Sequence, residues 1–161
     1  MRPIRAVADA LIAAEELHPD LAALLDDGVT VADSGVFFTR ELGINGRLQT
    51  ADLDPTGQEA LINKLHLDDL VDVDSPEWAA TCVAWGVLLA ARVFEAAAAI
   101  TTLSIDAVVS VDPGGTRRLG GAVVDSYPSS TFRFFGRRAG KPWISEDLDE
   151  YTEAMILLRS G

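Results

Sequence analysis

Residues 74–100 read DSPEWAATCVAWGVLLAARVFEAAAAI, and this stretch decides the fold. It predicts one long helix, because Ser75 suits an N-cap, Pro76 suits the first turn and Glu77 is favourable at the positive end of the helix dipole. Apolar residues cover most of its circumference, so we expect it to run to about Ile100 between a sheet and another layer. The large side chains expected to fill the core are Trp78, Trp85, Val87, Leu88 and Phe94.

Four β-rich runs follow this helix and are separated by turn residues. Asp112–Gly115 and Pro128 mark two of the turns, because Pro and Gly favour the φ angles of tight turns. Such runs predict an antiparallel sheet against the helix. The runs are Leu103–Val111, Leu119–Tyr127, Thr131–Phe135 and Glu153–Leu158.

The N-terminal part predicts two helical segments. Apolar residues between Ile4 and Ile12 fall on one stripe of an amphipathic helix that ends before Pro19. A second short helical turn is expected from Asp20 to Asp27, and Gly28 suits its C-terminal end because Gly tolerates a positive φ.

Strands are expected next. Val29–Ala32 and Val36–Leu42 are β-rich. Asn45-Gly46 is the strongest short signal for a hairpin turn, with Arg47–Leu53 as the returning strand.

Residues 54–68 are ambiguous. Asp54–Gly57 predicts a turn, and the alternation of apolar and polar residues from Leu61 to Asp68 indicates a strand, whereas Gln58–Lys64 also fits a helix. Taken together, residues 1–161 predict a single α+β domain. Its antiparallel sheet of about six to seven strands packs on one long central helix, with an N-terminal amphipathic helix.

Composition indicates a globular intracellular protein. Of the 161 residues, 48% are hydrophobic and 24% are charged, which is too apolar for a disordered chain. Cys82 is the only cysteine, so no intramolecular disulfide can form. The charge-free part of the long helix, Trp78–Ala91, is shorter than a membrane span, which requires about 18 to 20 residues. No export signal is evident, so we expect a cytoplasmic location.

Negative charge is concentrated in the first half of the chain. The net charge is −12, and residues 1–80 carry 16 acidic and 5 basic residues, a net −11. Such a field repels nucleic acids and anionic membranes and speeds the approach of basic proteins. A basic protein is therefore the expected partner.

The sharpest concentration lies between Asp52 and Glu77, where eight acidic residues stand beside a single base, Lys64. This segment is either a solvated face or a docking surface for a cationic protein. The candidate partner-binding residues are Asp52, Asp54, Glu59, Asp68, Asp69, Asp72 and Asp74.

No catalytic, metal or cofactor motif is evident. The two histidines, His18 and His66, are not spaced for metal binding, and we expect no metal or cofactor. His18-Pro19-Asp20 matches the tripeptide of J-domain co-chaperones but is better explained as a loop that ends a helix. Asp33-Ser34-Gly35 matches the aspartic protease motif but is also what a turn between strands prefers.

A basic group lies near the C-terminus and is followed at once by acidic residues. Binding of a phosphate group and pairing within the chain are both open, and pairing is favoured. The basic residues are Arg117, Arg118, Arg133, Arg137, Arg138 and Lys141, and the acids are Glu146, Asp147, Asp149 and Glu150.

The segments Thr131–Phe135, Arg137-Arg138, Lys141–Tyr151 and Glu153–Leu157 together resemble the C-terminal end of immunity proteins from bacterial polymorphic-toxin and contact-dependent inhibition loci. The resemblance covers about a fifth of the chain and transfers no individual binding residue. It implies a non-enzymatic inhibitor that occludes a toxin domain.

Three hypotheses follow. The first is a non-enzymatic immunity or inhibitor-type protein that neutralises a basic toxin or another cationic protein through its acidic surface. The second is a small-molecule-binding or enzymatic domain with a pocket between a curved sheet and the helix, for which the candidates are Asp106, Asp125, Tyr127 and Trp143. The third is a structural subunit that pairs with itself, since the oligomeric state is open.

Overall fold

The computed structural model describes residues 16–32, 35–45, 52–119, 122–140, 142–145, 147–148 and 151–161. Four α-helices and eight strands lie in these ranges. The helices are α1 (Pro19–Asp26), α2 (Thr39–Asn45), α3 (Pro55–Ile62) and α4 (Trp78–Ala98). The strands are β1 (Val29–Ala32), β2 (Gly35–Phe38), β3 (Leu65–His66), β4 (Ile105–Asp112), β5 (Gly115–Leu119), β6 (Ala122–Ser126), β7 (Ser129–Gly136) and β8 (Ala154–Arg159). The expected antiparallel α+β fold is confirmed.

The central sheet has four antiparallel strands in the order β3-β7-β4-β8. β4 pairs with β7 over its whole length, from Ile105 opposite Gly136 to Asp112 opposite Ser129. The sheet is not a simple meander. β5 and β6, which lie between β4 and β7 in the sequence, form a separate two-stranded ribbon. The C-terminal strand β8 then pairs with the other edge of β4.

The long helix α4 packs on one face of this sheet, as its apolar composition predicts. Its buried residues are mostly small, and they let the helix backbone approach β4: the space beside Gly86 is filled by Val109. The prediction that large side chains fill the core is therefore wrong in detail, since Trp78, Trp85 and Phe94 are only partly buried at the rim of the core. The fully buried positions of α4 are Cys82, Ala84, Gly86, Leu89, Ala90, Val93 and Ala97.

By length and hydropathy alone α4 is also a candidate membrane span. One such helix is weak evidence, because the core helix of a water-soluble domain passes the same test. Cys82, Leu89 and Val93 are buried in the main core of the protein, as expected of a core helix.

Parts of the first half of the chain also pack against α4. The predicted short turn is α1, whose Leu21 and Leu24 are buried in the same core as α4. The side chain of His18 caps α1 by accepting a hydrogen bond from the Asp20 N–H, and Gly28 follows the helix at φ 82°. The predicted amphipathic helix over Ile4–Ile12 lies outside the described residues.

β1 and β2 form a hairpin in which Ala32 lies opposite Gly35. The predicted Asn45-Gly46 hairpin is wrong, because β2 ends at Phe38 and residues Thr39–Asn45 form α2. Gly46 itself lies outside the described residues. The strand ends early because Phe37 and Phe38 are fully buried and the polar Thr-Arg-Glu sequence that follows turns to solvent as a helix.

The helical alternative for residues 58–64 is the correct one. Asp54 caps α3 by accepting a hydrogen bond from the Gly57 N–H, with Pro55 in the first turn, so the predicted Asp54–Gly57 turn is the start of a helix. The strand predicted from Leu61 to Asp68 shrinks to the two residues of β3.

Candidate functional site

Helix α3 links β2 to β7 through two buried polar side chains. The Glu59 carboxylate accepts hydrogen bonds from the N–H groups of Val36 and Gly136, each at 2.9 Å. One turn later, the Asn63 amide accepts from the Phe38 N–H and donates to the carbonyls of Val36 and Phe134. These two side chains therefore replace a β-ladder between the hairpin and the central sheet.

Arg138 completes this network. Its guanidinium lies 2.5 Å from Glu59 Oε2 and also donates to Thr56 Oγ1 and to the Gly136 carbonyl. Glu59 is 0% exposed, so its charge is balanced inside the protein. Gly35 makes room for the carboxylate: at φ 153° it adopts a conformation that L side chains rarely take, and a Cβ there would overlap Glu59.

This burial corrects the predicted partner-binding set. Glu59 cannot contact a partner, because its side chain is 0% exposed and lies against Arg138. The acidic run in the sequence predicts a solvated residue here, but the fold buries it. Asp68 is also poorly placed to contact a partner. Its side chain is only 17% exposed and accepts a hydrogen bond from the Ser130 N–H at 2.8 Å. The exposed members of the predicted set are Asp52, Asp54, Asp69, Asp72 and Asp74.

The exposed acids of the predicted partner-binding set lie in two groups rather than on one continuous patch. Asp52 and Asp54 precede α3, whose first turn contacts Arg138 beyond the Gly136 end of β7. Asp69 and its neighbours follow Asp68, which is bonded to Ser130 at the opposite end of β7. Ser130 and Gly136 are six residue steps apart, which is about 20 Å at about 3.3 Å per step along a strand.

The second group forms what we call the acidic loop, residues 69–77. It contains four exposed carboxylates, Asp69, Asp72, Asp74 and Glu77. Among the described residues no Lys or Arg pairs with any of the four, whereas Asp27, Glu95 and Asp106 each pair with an arginine. Glu77 belongs to this group although it was outside the predicted set.

Hydrogen bonds within the loop hold its shape. Asp72 accepts the N–H of Asp74 through its side chain and that of Ser75 through its carbonyl. Ser75 Oγ accepts the N–H of Glu77 and donates to its carboxylate, so Ser75 orders the approach to α4 although the helix begins at Trp78. The carboxylates are thus presented on an ordered segment.

The face of the sheet opposite α4 carries a cavity of about 590 Å³. Asp106 and Trp143, two of the four candidates for a pocket, both line it. This cavity does not lie between the sheet and the long helix, because its floor residues Phe135 and Leu157 belong to a separate apolar cluster. The other candidates, Asp125 and Tyr127, are exposed at the β5–β6 ribbon.

The basic residues find their partners in distant parts of the chain. Arg137 pairs with Asp106 and Arg138 with Glu59. Burial lowers the pKa of the Arg133 guanidinium, an effect that Glu153 opposes, and both residues line a second cavity of about 250 Å³.

Several residues singled out by the sequence analysis lie outside the described set. The side chains of Arg117 and Arg118, and all of Lys141, Glu146, Asp149 and Glu150, fall there. Asp33 and Ser34 do as well. Within the described part of the chain no group of three or more His, Cys, Asp or Glu residues is arranged to hold a metal ion.

Fold and site define a small α+β protein in which buried polar side chains join a hairpin to the central sheet, with an ordered acidic loop at one end. The chain belongs to the Uncharacterized protein PM0498 family, whose family model matches residues 3–161. Comparison with curated proteins and with solved structures gives no significant match.

Proposed function

We propose that this protein is a non-enzymatic, cytoplasmic binding protein of the immunity or inhibitor type. It neutralises a basic protein partner, such as a toxin domain, by docking it on the acidic loop. The observation that carries the proposal is the set of four exposed carboxylates in residues 69–77 that no cation of the described chain balances.

Charge and order both support docking at this loop. Unpaired carboxylates in a protein of net charge −12 attract a cationic surface and speed its association, by about 10- to 1000-fold in steered complexes. Because turn hydrogen bonds already hold the loop, less conformational entropy is lost when a partner binds. Asp52 and Asp54, near the opposite end of β7, extend the negative field toward a larger partner.

The test is a charge-removal series measured against the partner that co-purifies from the native host. The loop variant carries Asp69→Asn, Asp72→Asn and Asp74→Asn, because Asn keeps the side-chain oxygen that the turn at Asp72 uses. Its matched control removes three exposed acids elsewhere, at Asp20, Asp26 and Asp125.

We expect the loop variant to lower the association rate constant about tenfold at low salt, with a smaller salt dependence, and the control to change it by less than about twofold. Stopped-flow or surface-binding kinetics at several salt concentrations measure both. Equal rates for the two variants, or a co-purifying partner without a basic surface, would disprove docking at the loop.

A further inference from the structure

Strand β8 forms one edge of the central sheet. The strand order β3-β7-β4-β8 places it last, and its ladder partner within the described ranges is β4. The other edge is covered: β7 pairs with β3 and, farther along, bonds to the side chains of Glu59 and Asn63. The backbone groups of an uncovered edge strand are a template for pairing with another chain. The edge at β8 is therefore a candidate interaction surface.

The backbone groups of β8 that face outward belong to alternate residues. The Ser160 N–H donates to the Ile105 carbonyl, so the even-numbered residues of β8 bond to β4 and the odd-numbered residues face the open side. At Met155 and Leu157 no residue of the described chain bonds to these outward groups. They are available to a second strand.

The side chains of β8 are apolar on both faces of the sheet. Met155 and Leu157 pack against the smaller apolar cluster, whereas Ile156 and Leu158 pack against the main core. All four are only partly buried. The strand contains no Lys or Pro, which natural edge strands use to prevent pairing, and its single charge, Arg159, stands at its end. A strand added here would cover apolar side chains on both faces.

We propose that β8 pairs with β8 of a second copy of this chain, antiparallel and about a two-fold axis at Ile156. This register uses the whole strand, and Met155 of one copy exchanges both backbone hydrogen bonds with Leu157 of the other. At each end, Glu153 of one copy lies opposite Arg159 of the other, so unlike charges are neighbours. The two central sheets become one continuous sheet.

The distribution of charge favours a second copy at this edge. Residues 1–80 carry a net −11, whereas residues 81–161 carry 9 acidic and 8 basic residues, a net −1. The acidic loop follows Asp68, beside β3 at the opposite edge of the sheet. Pairing at β8 therefore keeps the most negative parts of the two copies apart. It leaves both acidic loops open, goes beyond the proposed docking and does not rest on it.

The mass of the full chain in solution tests self-pairing. Analytical ultracentrifugation should give twice the 17.2 kDa of one chain, with a fall toward the single-chain mass on dilution. Met155→Pro removes an outward N–H but no bond to β4, and an edge strand tolerates Pro on that side, so this variant should fold and have the mass of one chain. Met155→Ala, the matched control, shortens the same side chain but keeps the N–H and should still pair.

Near-UV circular dichroism checks that each variant is folded. The mass of one chain for the natural protein at every concentration, or an unchanged dimer in folded Met155→Pro, would overturn the proposal.

A disulfide across the two-fold axis tests the register. Partners that are not hydrogen-bonded in antiparallel strands have Cα atoms about 4.5 Å apart, within the span of a disulfide of about 4.4 to 6.8 Å. Ile156→Cys should therefore crosslink two chains under mild oxidation. Ala154→Cys is the control, because the two copies of residue 154 would lie four positions apart, about 14 Å at about 3.4 Å per residue.

We expect Ile156→Cys to crosslink about tenfold faster than Ala154→Cys, because only residue 156 meets its own copy. Random collisions would favour the opposite order, since Ala154 is the more exposed of the two. The natural Cys82 is buried and takes no part. Equal rates, or faster linkage at residue 154, would overturn the pairing.

The outcomes are separable from those of the docking proposal. The loop variant at Asp69, Asp72 and Asp74 should have the mass of the natural dimer, and loss of the dimer in that variant would place the contact elsewhere and overturn pairing at β8. A natural protein that is a single chain, with a basic partner whose binding Met155→Pro abolishes, would assign the edge to that partner and overturn self-pairing.

Discussion

Replacement of Glu59 by Gln should destabilise this protein far more than an ordinary loss of one surface charge. Glu59 is 0% exposed and accepts hydrogen bonds from Val36, Gly136 and Arg138. Glutamine has nearly the same shape, so the change removes charge and one acceptor without creating a cavity. The change in the free energy of unfolding of this variant therefore reports on the polar network itself.

The expected cost follows from the lost partners. The amide oxygen of Gln can still accept one backbone N–H, but its NH₂ group then faces the other N–H, which stays buried without an acceptor. An unsatisfied buried donor costs about 1 to 3 kcal/mol, and Arg138 loses a charge-assisted bond worth about 1.5 to 3 kcal/mol before solvent compensation. Because the Arg138 side chain is 24% exposed, water recovers part of the second term. We expect a loss of about 2 to 4 kcal/mol.

Urea unfolding, followed by tryptophan fluorescence and far-UV circular dichroism, measures this loss. Glu95→Gln is the control, because it makes the same chemical change in an exposed carboxylate of α4 that also pairs with an arginine. The control should alter the free energy of unfolding by less than about 0.5 kcal/mol.

A second arm tests whether Glu59 and Arg138 act together. Arg138→Gln alone leaves a buried carboxylate without its cation and should cost about 3 to 5 kcal/mol. The double variant should cost less than the sum of the two single variants, by about 1 to 3 kcal/mol. A loss for Glu59→Gln no larger than that of Glu95→Gln, or strict additivity with Arg138→Gln, would refute the account of the network.

Two further predictions concern α4. Gly86→Ala should destabilise the protein by about 1 to 2 kcal/mol, because the added Cβ would lie 2.5 Å from Val109 Cγ2. Gly43→Ala on α2, where the added Cβ meets open space, should stabilise the protein by about 0.5 to 1 kcal/mol. Thermal unfolding compares the two variants, and a stabilised Gly86→Ala variant would contradict the close packing. Burial raises the pKa of the Cys82 thiol from 9.0 to about 11. Between pH 9 and 11 the thiol therefore ionises only in the unfolded protein. The stability that the buried thiol contributes is complete below pH 9 and is lost as the pH rises toward 11. Unfolding free energies of the natural protein and Cys82→Ala from pH 8 to 11 should converge, and parallel curves would show that the thiol does not titrate differently in the two states.

The long helix and the main strands were predictable because their signals are local. The apolar run after Ser75-Pro76-Glu77 has a start signal and a length that only a helix fits, and Ile105–Asp112 and Ala154–Arg159 lie close to the predicted strands. Short segments were less predictable. Thr39–Asn45 and Pro55–Ile62 carry few residues, so packing against β2 and β7 outweighs their weak local preferences.

The sequence by itself determined the fold class, the excess of negative charge and the position of the core helix, because composition and periodicity depend only on residues near one another in the chain. Only the tertiary structure decided which charges are available. Glu59 belongs to an acidic run, yet it is neutralised by Arg138, 79 residues later. The cavity likewise depends on Asp106, Trp143 and Arg159 meeting across separate strands and a loop. A charge pair or a cavity wall between distant residues leaves no periodic trace in one sequence, since its energy comes from burial that the whole chain creates.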